Sequence, residues 1–434
     1  MKRNRLTALL LALLFLLAGC RPTGEEGPSQ APSEPEPEPT PTSSAVPSPW
    51  MEDWELFWTT LDENYPFGDV MRRTTGRTLA EIEAEFRPAA EQAQSAGELL
   101  TVMLDVSKEF GVTGHLWVYN AETYDWNYSQ ARVAAEQYNA FDRYDLLNNE
   151  KSRALYGWTD EADAAAPEET AEDEEPNLTF DYYPEQKAAY VKVREMVADG
   201  EDWEAEEQKL LDFYRSIEAE GYEHCIIDIR RNGGGYTHYI QILAGPNLSK
   251  SVVQEHYVLI NEGDVVRDYF DAVGIQRGTV WTIDYLPREE LPALEPGDLE
   301  WATHFMKAYI QCIATAPSQK PVFSGRFWVL IDPYVYSASE QFAVLCKDSG
   351  FATLVGQRTG GDGISTARTT PMCSVLPNSG VVYQFSIVNG LNLDGGSNEE
   401  FGTAPDIEVP EGEDALEACL RAIEEDGTEA RTSP

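Results

Sequence analysis

Two segments constrain the fold of this sequence more than any other feature. Cys225–Gly235 (CIIDIRRNGGG) and Phe327–Gly363 (FWVLIDPYVYSASEQFAVLCKDSGFATLVGQRTGGDG) each open with a short, almost wholly apolar run. Such runs read as strands buried on both faces. Each then breaks into a tight turn and leads to a helical pattern. The first turn is Asn232-Gly233-Gly234-Gly235, and the second carries Ser337 at the start of an amphipathic helix. A serine at a helix N-terminus stands beside unpaired backbone N–H groups and the positive end of the helix dipole. Consecutive glycines let the backbone approach a ligand and turn N–H groups towards it. The pair therefore offers a nucleophile and an amide cradle, the two parts that acyl transfer needs. On local pattern alone, Ser337-Ala-Ser-Glu340 is equally a capping box, with Ser337 as N-cap and Glu340 at the third helical position. A phosphate cradle is the rival for the glycines, but the Lys-Ser/Thr of a phosphate loop and the G-x-G-x-x-G spacing are both missing.

Strands alternating with helices around these segments argue for a layered α/β core. Strands are expected at His115–Tyr119, Ala188–Met196, Cys225–Ile229, Val252–Ile260, Val280–Ile283, Arg326–Ile331, Leu354–Gly356 and Val381–Ile387. Helices are expected at Asp202–Glu220, from Ser337 to about Asp348, and at Ala415–Ile423. Trp301, Phe305, Ala308, Tyr309 and Cys312 recur at helical spacing and predict one more helix. Ahead of this core, Trp50, Trp54, Phe57, Trp58 and Leu61 begin a helical pattern that continues through Leu79–Ala96 and Glu98–Phe110. Residues 49–112 thus read as a small helical domain, followed by a core over 113–425 and a tail over 426–434. An acidic low-complexity insertion occupies about 159–177, and residues 120–158 are ambiguous.

Net charge narrows the function classes. Among 434 residues, 75 Asp and Glu face 32 Lys and Arg, a formal charge of −43. Nucleic-acid binders need clustered cations, so that class is excluded, as is adhesion to an anionic membrane by charge. The N-terminus gives the compartment. Lys2, Arg3 and Arg5 precede an apolar run, Leu6–Ala18, which is too short to span a bilayer. The run ends in Leu17-Ala18-Gly19-Cys20, which resembles a bacterial lipobox. The resemblance implies a signal peptide over 1–19, lipidation at Cys20 and a location at the cell envelope, with the Pro/Ser/Glu-rich residues 20–48 as a disordered tether. The other cysteines (Cys225, Cys312, Cys346, Cys373 and Cys419) match no metal framework, and no metal or cofactor is expected.

Taken in order, "IIDIRRNGGG", "VLIDPYVYSASEQFA…GFATLVGQRTGG", Leu376-Pro-Asn-Ser-Gly380 and Gly402-Thr-Ala-Pro-Asp-Ile-Glu-Val409 resemble the S41 family of serine peptidases. The resemblance covers about residues 50–425, apart from the acidic insertion. It implies a layered β/α core of the ClpP/crotonase-like type preceded by a helical region, and a peptide or protein as substrate. Family members of the Ser-Lys kind carry a lysine in a T-x-G-K-G stretch, whereas this chain has Thr359-Gly360-Gly361-Asp362-Gly363. Asp362 cannot serve as an amine base. Lys347 lies nearly three helical turns past Ser337. The resemblance therefore points to the branch that includes the tricorn core and retinoid-binding-protein-like members, which uses a histidine; His115 in Val112-Thr-Gly-His115 matches its position. An ordinary imidazole titrates near neutrality and can accept a serine proton.

In that branch a glutamate before the last motif takes part, which implies Glu399, with Glu400 beside it as the alternative. The serine that precedes the family's histidine is replaced here by Gly114, and Thr113 is a candidate substitute. The expected site is thus Ser337 as nucleophile, His115 as base and Glu399 as its orienting acid, with the N–H groups of Gly234 and Ala338 as oxyanion hole. Arg230 and Arg231 either orient a substrate carboxylate or brace the loop. The competing function is a catalytically silent surface lipoprotein that keeps the fold as a peptide- or ligand-binding module. An esterase of the α/β-hydrolase kind is disfavoured because no G-x-S-x-G elbow surrounds Ser337.

Overall fold

The computed structural model describes residues 48–432 apart from 139–140, 159–174, 199–201, 316–319 and 368. The signal peptide, Cys20, almost all of the tether and most of the acidic insertion lie outside the described residues. Four helices come first: α1 (Pro49–Asn64), α2 (Gly68–Thr75), α3 (Leu79–Ala90) and α4 (Ala96–Glu109). Side chains set their starts. Ser48 caps α1, Ser95 caps α4, and Thr78 with Glu81 forms a full capping box on α3. After α4 the chain makes a single 3-10 turn, Thr113–His115, where a strand was expected, and then the short β1 (Trp117–Val118). The ambiguous stretch folds as α5 (Ala121–Tyr138), α6 (Phe141–Leu147) and α7 (Glu150–Leu155).

The main sheet is assembled from β2 (Leu178–Tyr183), β3 (Ala188–Val193), then α8 (Trp203–Ala219) and β4 (His224–Asp228). After a short helix α9 (His238–Ala244) comes a second sheet. It holds β5 (Val252–Ile260), then α10 (Asp264–Ala272), β6 (Val280–Thr282) and β7 (His304–Cys312). The chain returns to the main sheet with β8 (Arg326–Ile331), α11 (Ala338–Ser349) and β9 (Ala352–Gly356). It closes with β10 (Met372–Val375), β11 (Val382–Phe385), β12 (Val388–Gly390), α12 (Asn398–Phe401), β13 (Ile407–Glu408) and α13 (Ala415–Thr432).

The six-stranded sheet has the order β13-β9-β8-β4-β3-β2, parallel except for the β2–β3 pair. Its two central strands, β4 and β8, are the apolar runs that lead into the glycine turn and into Ser337. Their register pairs Cys225 with Phe327 and Asp228 with Leu330, so both chains leave the sheet side by side at the same end. The α/β class and the helical N-terminal region follow as the sequence implied. The helices share one core with the sheet: Trp54, Phe57, Leu99 and Phe110 belong to the same buried cluster as Ile227, Val329 and Phe342.

The helix expected at 301–312 is instead β7. Met306, Ala308, Ile310 and Cys312 alternate inwards along it, and it pairs with β5 over nine residues, from Val252–Cys312 to Ile260–His304. Both periods fit the apolar positions, and pairing with a long strand selects the period of two. Cys225, Cys312, Cys346, Cys373 and Cys419 are all free thiols.

Candidate active site

The ends of β4 and β8 carry the two turns, and Asn232 stitches them together. Wholly buried, it accepts hydrogen bonds at Oδ1 from Gly234 N–H (3.0 Å) and Ser339 Oγ (2.6 Å), and its Nδ2 donates to Val193 O (3.1 Å). Gly234 then lies against the other turn. A Cβ added there would stand 2.9 Å from Tyr336 O and 3.0 Å from both Ala338 N and Ser337 Cβ, at φ +109. Only glycine fits so close an approach.

Ser337 has φ 57 and ψ −121, a left-handed conformation that L-residues avoid, and its hydroxyl makes no cap hydrogen bond. The capping box expected here does not form. Such a conformation costs on the order of 1–3 kcal/mol, and only the surrounding structure keeps it. The restraint is visible: Ser337 N–H donates to Gly361 O (3.0 Å) and Gly360 N–H donates to Val335 O (2.8 Å).

His115 is 5% exposed and reaches this place from the helical region. Four left-handed residues, Gly111, Val112, Gly114 and His115, bend the chain after α4. Tyr65 Oη donates to Thr113 O (2.7 Å), and Ser386 N–H donates to Gly114 O (2.7 Å), which fixes the bend. The imidazole lies against the ring of Tyr336, the residue before Ser337, with centroids 4.8 Å apart. Its Nδ1 donates to Asp362 Oδ2 at 2.5 Å. That bond holds the proton on Nδ1 and leaves Nε2 as the acceptor nitrogen of the neutral ring. Asp362 is 1% exposed. It also accepts from Ser386 Oγ (3.1 Å) and from Ser365 Oγ, and Ser386 Oγ lies 3.2 Å from His115 Nδ1.

The acid against the histidine is thus Asp362, where the sequence led us to expect Glu399. Glu399 accepts from Tyr336 Oη (3.0 Å) and from the Gly114 backbone. Burial first, and then the charge of Asp362, push its carboxyl well above the usual range. Glu400 turns the other way, into an ion pair with Arg73 (2.6 Å). Thr113 faces Thr74 (3.5 Å between hydroxyls). A serine in place of Gly114 has no room, because its Cβ would fall 2.5 Å from the Phe67 ring. Of the two expected oxyanion donors, Ala338 N–H opens α11 and lacks an intrahelical acceptor. Gly234 N–H is engaged by Asn232, which departs from the expected role. The isolated bridge to Met196 uses the Gly234 carbonyl (2.9 Å) and Tyr236 N–H (2.8 Å), so it leaves out the N–H of Gly235.

Glu340 is fully buried on the second turn's helix. Its Oε1 accepts from Thr403 Oγ1 (2.6 Å) and Asn398 Nδ2 (2.8 Å), while Oε2 has no hydrogen-bond partner. Burial, partly offset by the polar groups of Thr359, Thr403 and Asn398, pushes its carboxyl up to about 7. Asn398 passes the contact on, because its Oδ1 accepts from Gly363 N–H (2.8 Å), next to Asp362. Arg230 pairs with Asp228 (2.7 Å) and Asp414 (3.5 Å) and so braces its loop. Among the described residues, no group of three or more His, Cys, Asp or Glu side chains could hold a metal ion.

A strained serine at a helix start and a glycine turn packed against it lie where β4 and β8 leave the parallel sheet, and a buried histidine–carboxylate pair packs on the residue before that serine. Residues 187–409, just over half of the chain, match peptidase family S41, and the chain belongs to that family. Over 97 residues it is 35% identical to the tail-specific protease of Haemophilus influenzae, a match covering 22% of this chain and 14% of that protein. The chain therefore matches only a small part of that relative's length. In fold it is similar to a structure from Parabacteroides merdae described as a candidate peptidase, with 18% identity, TM-score 0.51, and coverage of 86% of this chain and 96% of that one. It is similar also to mature CPAF, with 14% identity, TM-score 0.50, and coverage of 88% and 96%.

Proposed function

We propose that this protein is a serine peptidase of the histidine-using kind, held at the cell envelope by lipidated Cys20. The observation that carries the reading is the buried His115–Asp362 pair, whose imidazole packs on Tyr336, the residue before Ser337. Ser337 attacks a peptide carbonyl while His115 Nε2 accepts its proton. Asp362 holds the ring and stabilises the imidazolium that forms. Ala338 N–H faces the oxyanion, joined by Gly235 N–H in place of Gly234. The imidazolium then protonates the leaving amine, and water releases the acyl group by the reverse path. Glu399 serves through Tyr336 and Gly114, as a support for the ring's wall. The Ser337 hydroxyl, which makes no capping hydrogen bond, supports the same reading, since strain there is maintained without a capping benefit.

Cleavage of an unstructured protein such as casein tests it. Wild type should yield fragments, and Ser337→Ala and His115→Ala should each lose several orders of magnitude in rate. Undiminished cleavage by Ser337→Ala would point to another activity in the preparation. No cleavage by wild type would favour the silent binding module. Radiolabelled palmitate incorporated by wild type, and lost in Cys20→Ala, tests the anchor.

A further inference from the structure

Arg231 stands directly before the Asn232–Gly235 turn, and neither the nucleophile nor the histidine–carboxylate pair uses it. Its neighbour Arg230 is tied to Asp228 and Asp414, but among the described residues no carboxylate lies within 4 Å of the Arg231 guanidinium. Acidic residues outnumber basic ones by 75 to 32 in the chain, and among the described residues none of them pairs with this guanidinium. The residue is exposed, and its backbone is left-handed at φ 64. Asp332 holds that backbone by accepting its N–H at both oxygens (3.0 and 3.1 Å). The guanidinium lies over the Tyr334 ring, 4.7 Å from its centroid, and Tyr334 is itself 61% exposed. Stacking of this kind pre-sets a guanidinium while leaving its edge donors free.

Position gives the group its meaning. Arg231 stands three residues before Gly234, and Tyr334 three residues before Ser337. The two residues thus cap the ends of the adjacent strands β4 and β8, on the rim of the two turns that form the site. Three residues span at most about 11 Å, roughly the length of three residues of an extended substrate.

We propose that Arg231 is a specificity residue that binds a carboxylate of the substrate, an Asp or Glu side chain or a free C-terminus, within about three residues of the bond cleaved. The inference rests on the peptidase reading. It runs against the overall field of the protein, which repels acidic peptides, so the contact is local and is best read near 0.15 M salt, where the screening length is about 8 Å.

The test is digestion of a proteome-derived peptide library, with cleavage positions read by mass spectrometry. Wild type should enrich Asp, Glu or the terminal carboxylate at one position near the cleaved bond. Arg231→Met should lose that enrichment by about tenfold, the scale of one charge-assisted contact, and Arg231→Glu should favour Lys or Arg there. Neutral peptides should be cut by all three at similar rates, which shows that the variants fold. The same acidic preference in Arg231→Met, or no acidic preference in wild type, overturns the proposal while leaving the peptidase reading intact. A wild-type protein that cuts nothing in the library removes both.

Discussion

Two helix starts in this molecule share one local sequence pattern and use it in opposite ways. Thr78-Leu-Ala-Glu81 and Ser337-Ala-Ser-Glu340 both read as capping boxes. At Thr78 the box forms: φ is −102, the hydroxyl accepts from Glu81 N–H (3.2 Å), and the Glu81 carboxylate accepts from Thr78 N–H (2.9 Å). At Ser337 the backbone is left-handed, the hydroxyl makes no cap bond, and Glu340 turns to Thr403 and Asn398. Surface helices are free to satisfy their own ends. The start of α11 is instead gripped by Asn232, Gly361 and Val335, and those contacts override the local preference. The hydroxyl is left available at the cost of backbone strain.

Substitutions at the two starts should therefore separate activity from stability. Short of losing the nucleophile or the base, the effect on catalysis should be largest at Asp362. Asp362→Asn keeps the shape but removes the acceptor that fixes the His115 tautomer, and kcat should fall on the order of 10³–10⁴-fold; steady-state kinetics on a fluorogenic peptide would show it. Glu399→Gln, one step further from the ring, should lose much less.

Next comes Glu340, whose carboxyl sits near 7 in the folded protein and near 4.5 when unfolded. The raised value means that the folded state binds the extra proton. The stability that comes with it is complete below about pH 4.5 and is lost as the pH rises through 7. Relative to Glu340→Gln, wild type should lose up to about 3 kcal/mol across that window. Denaturant titrations at a series of pH values measure this, and parallel curves for the two proteins would refute it.

Ser337→Gly should abolish activity yet raise stability by about 1 kcal/mol, because glycine accepts the left-handed backbone. Thr78→Ala should do the reverse, costing about 1 kcal/mol and leaving kcat unchanged. If both substitutions destabilised equally, the contrast between the two starts would be false.

Much of this arrangement was legible in the sequence, and the rest was hidden for identifiable reasons. β4, β8 and their turns are local patterns of apolar run, glycine and helix start, so they could be placed directly. His115 was reachable only through the order of motifs. Asp362 stands where Ser-Lys members of the family carry their lysine, and nothing local reveals that it meets a histidine 247 positions away. An aspartate inside a glycine-rich stretch between buried strands was the available signal. Ser386 was masked by its apolar strand, where a small polar residue usually passes for packing. The strand at 304–312 was hidden because its apolar positions fit a helical period as well as a period of two, an ambiguity resolved only by pairing with β5.

The most direct measurement is reaction of the intact protein with a fluorophosphonate probe, with the modified residue located by mass spectrometry. The expected result is a single adduct on Ser337, absent in Ser337→Ala and formed far more slowly in His115→Ala and Asp362→Asn. No adduct on the folded wild-type protein, or an adduct on another serine, would contradict the assignment of Ser337 as a nucleophile activated by the His115–Asp362 pair.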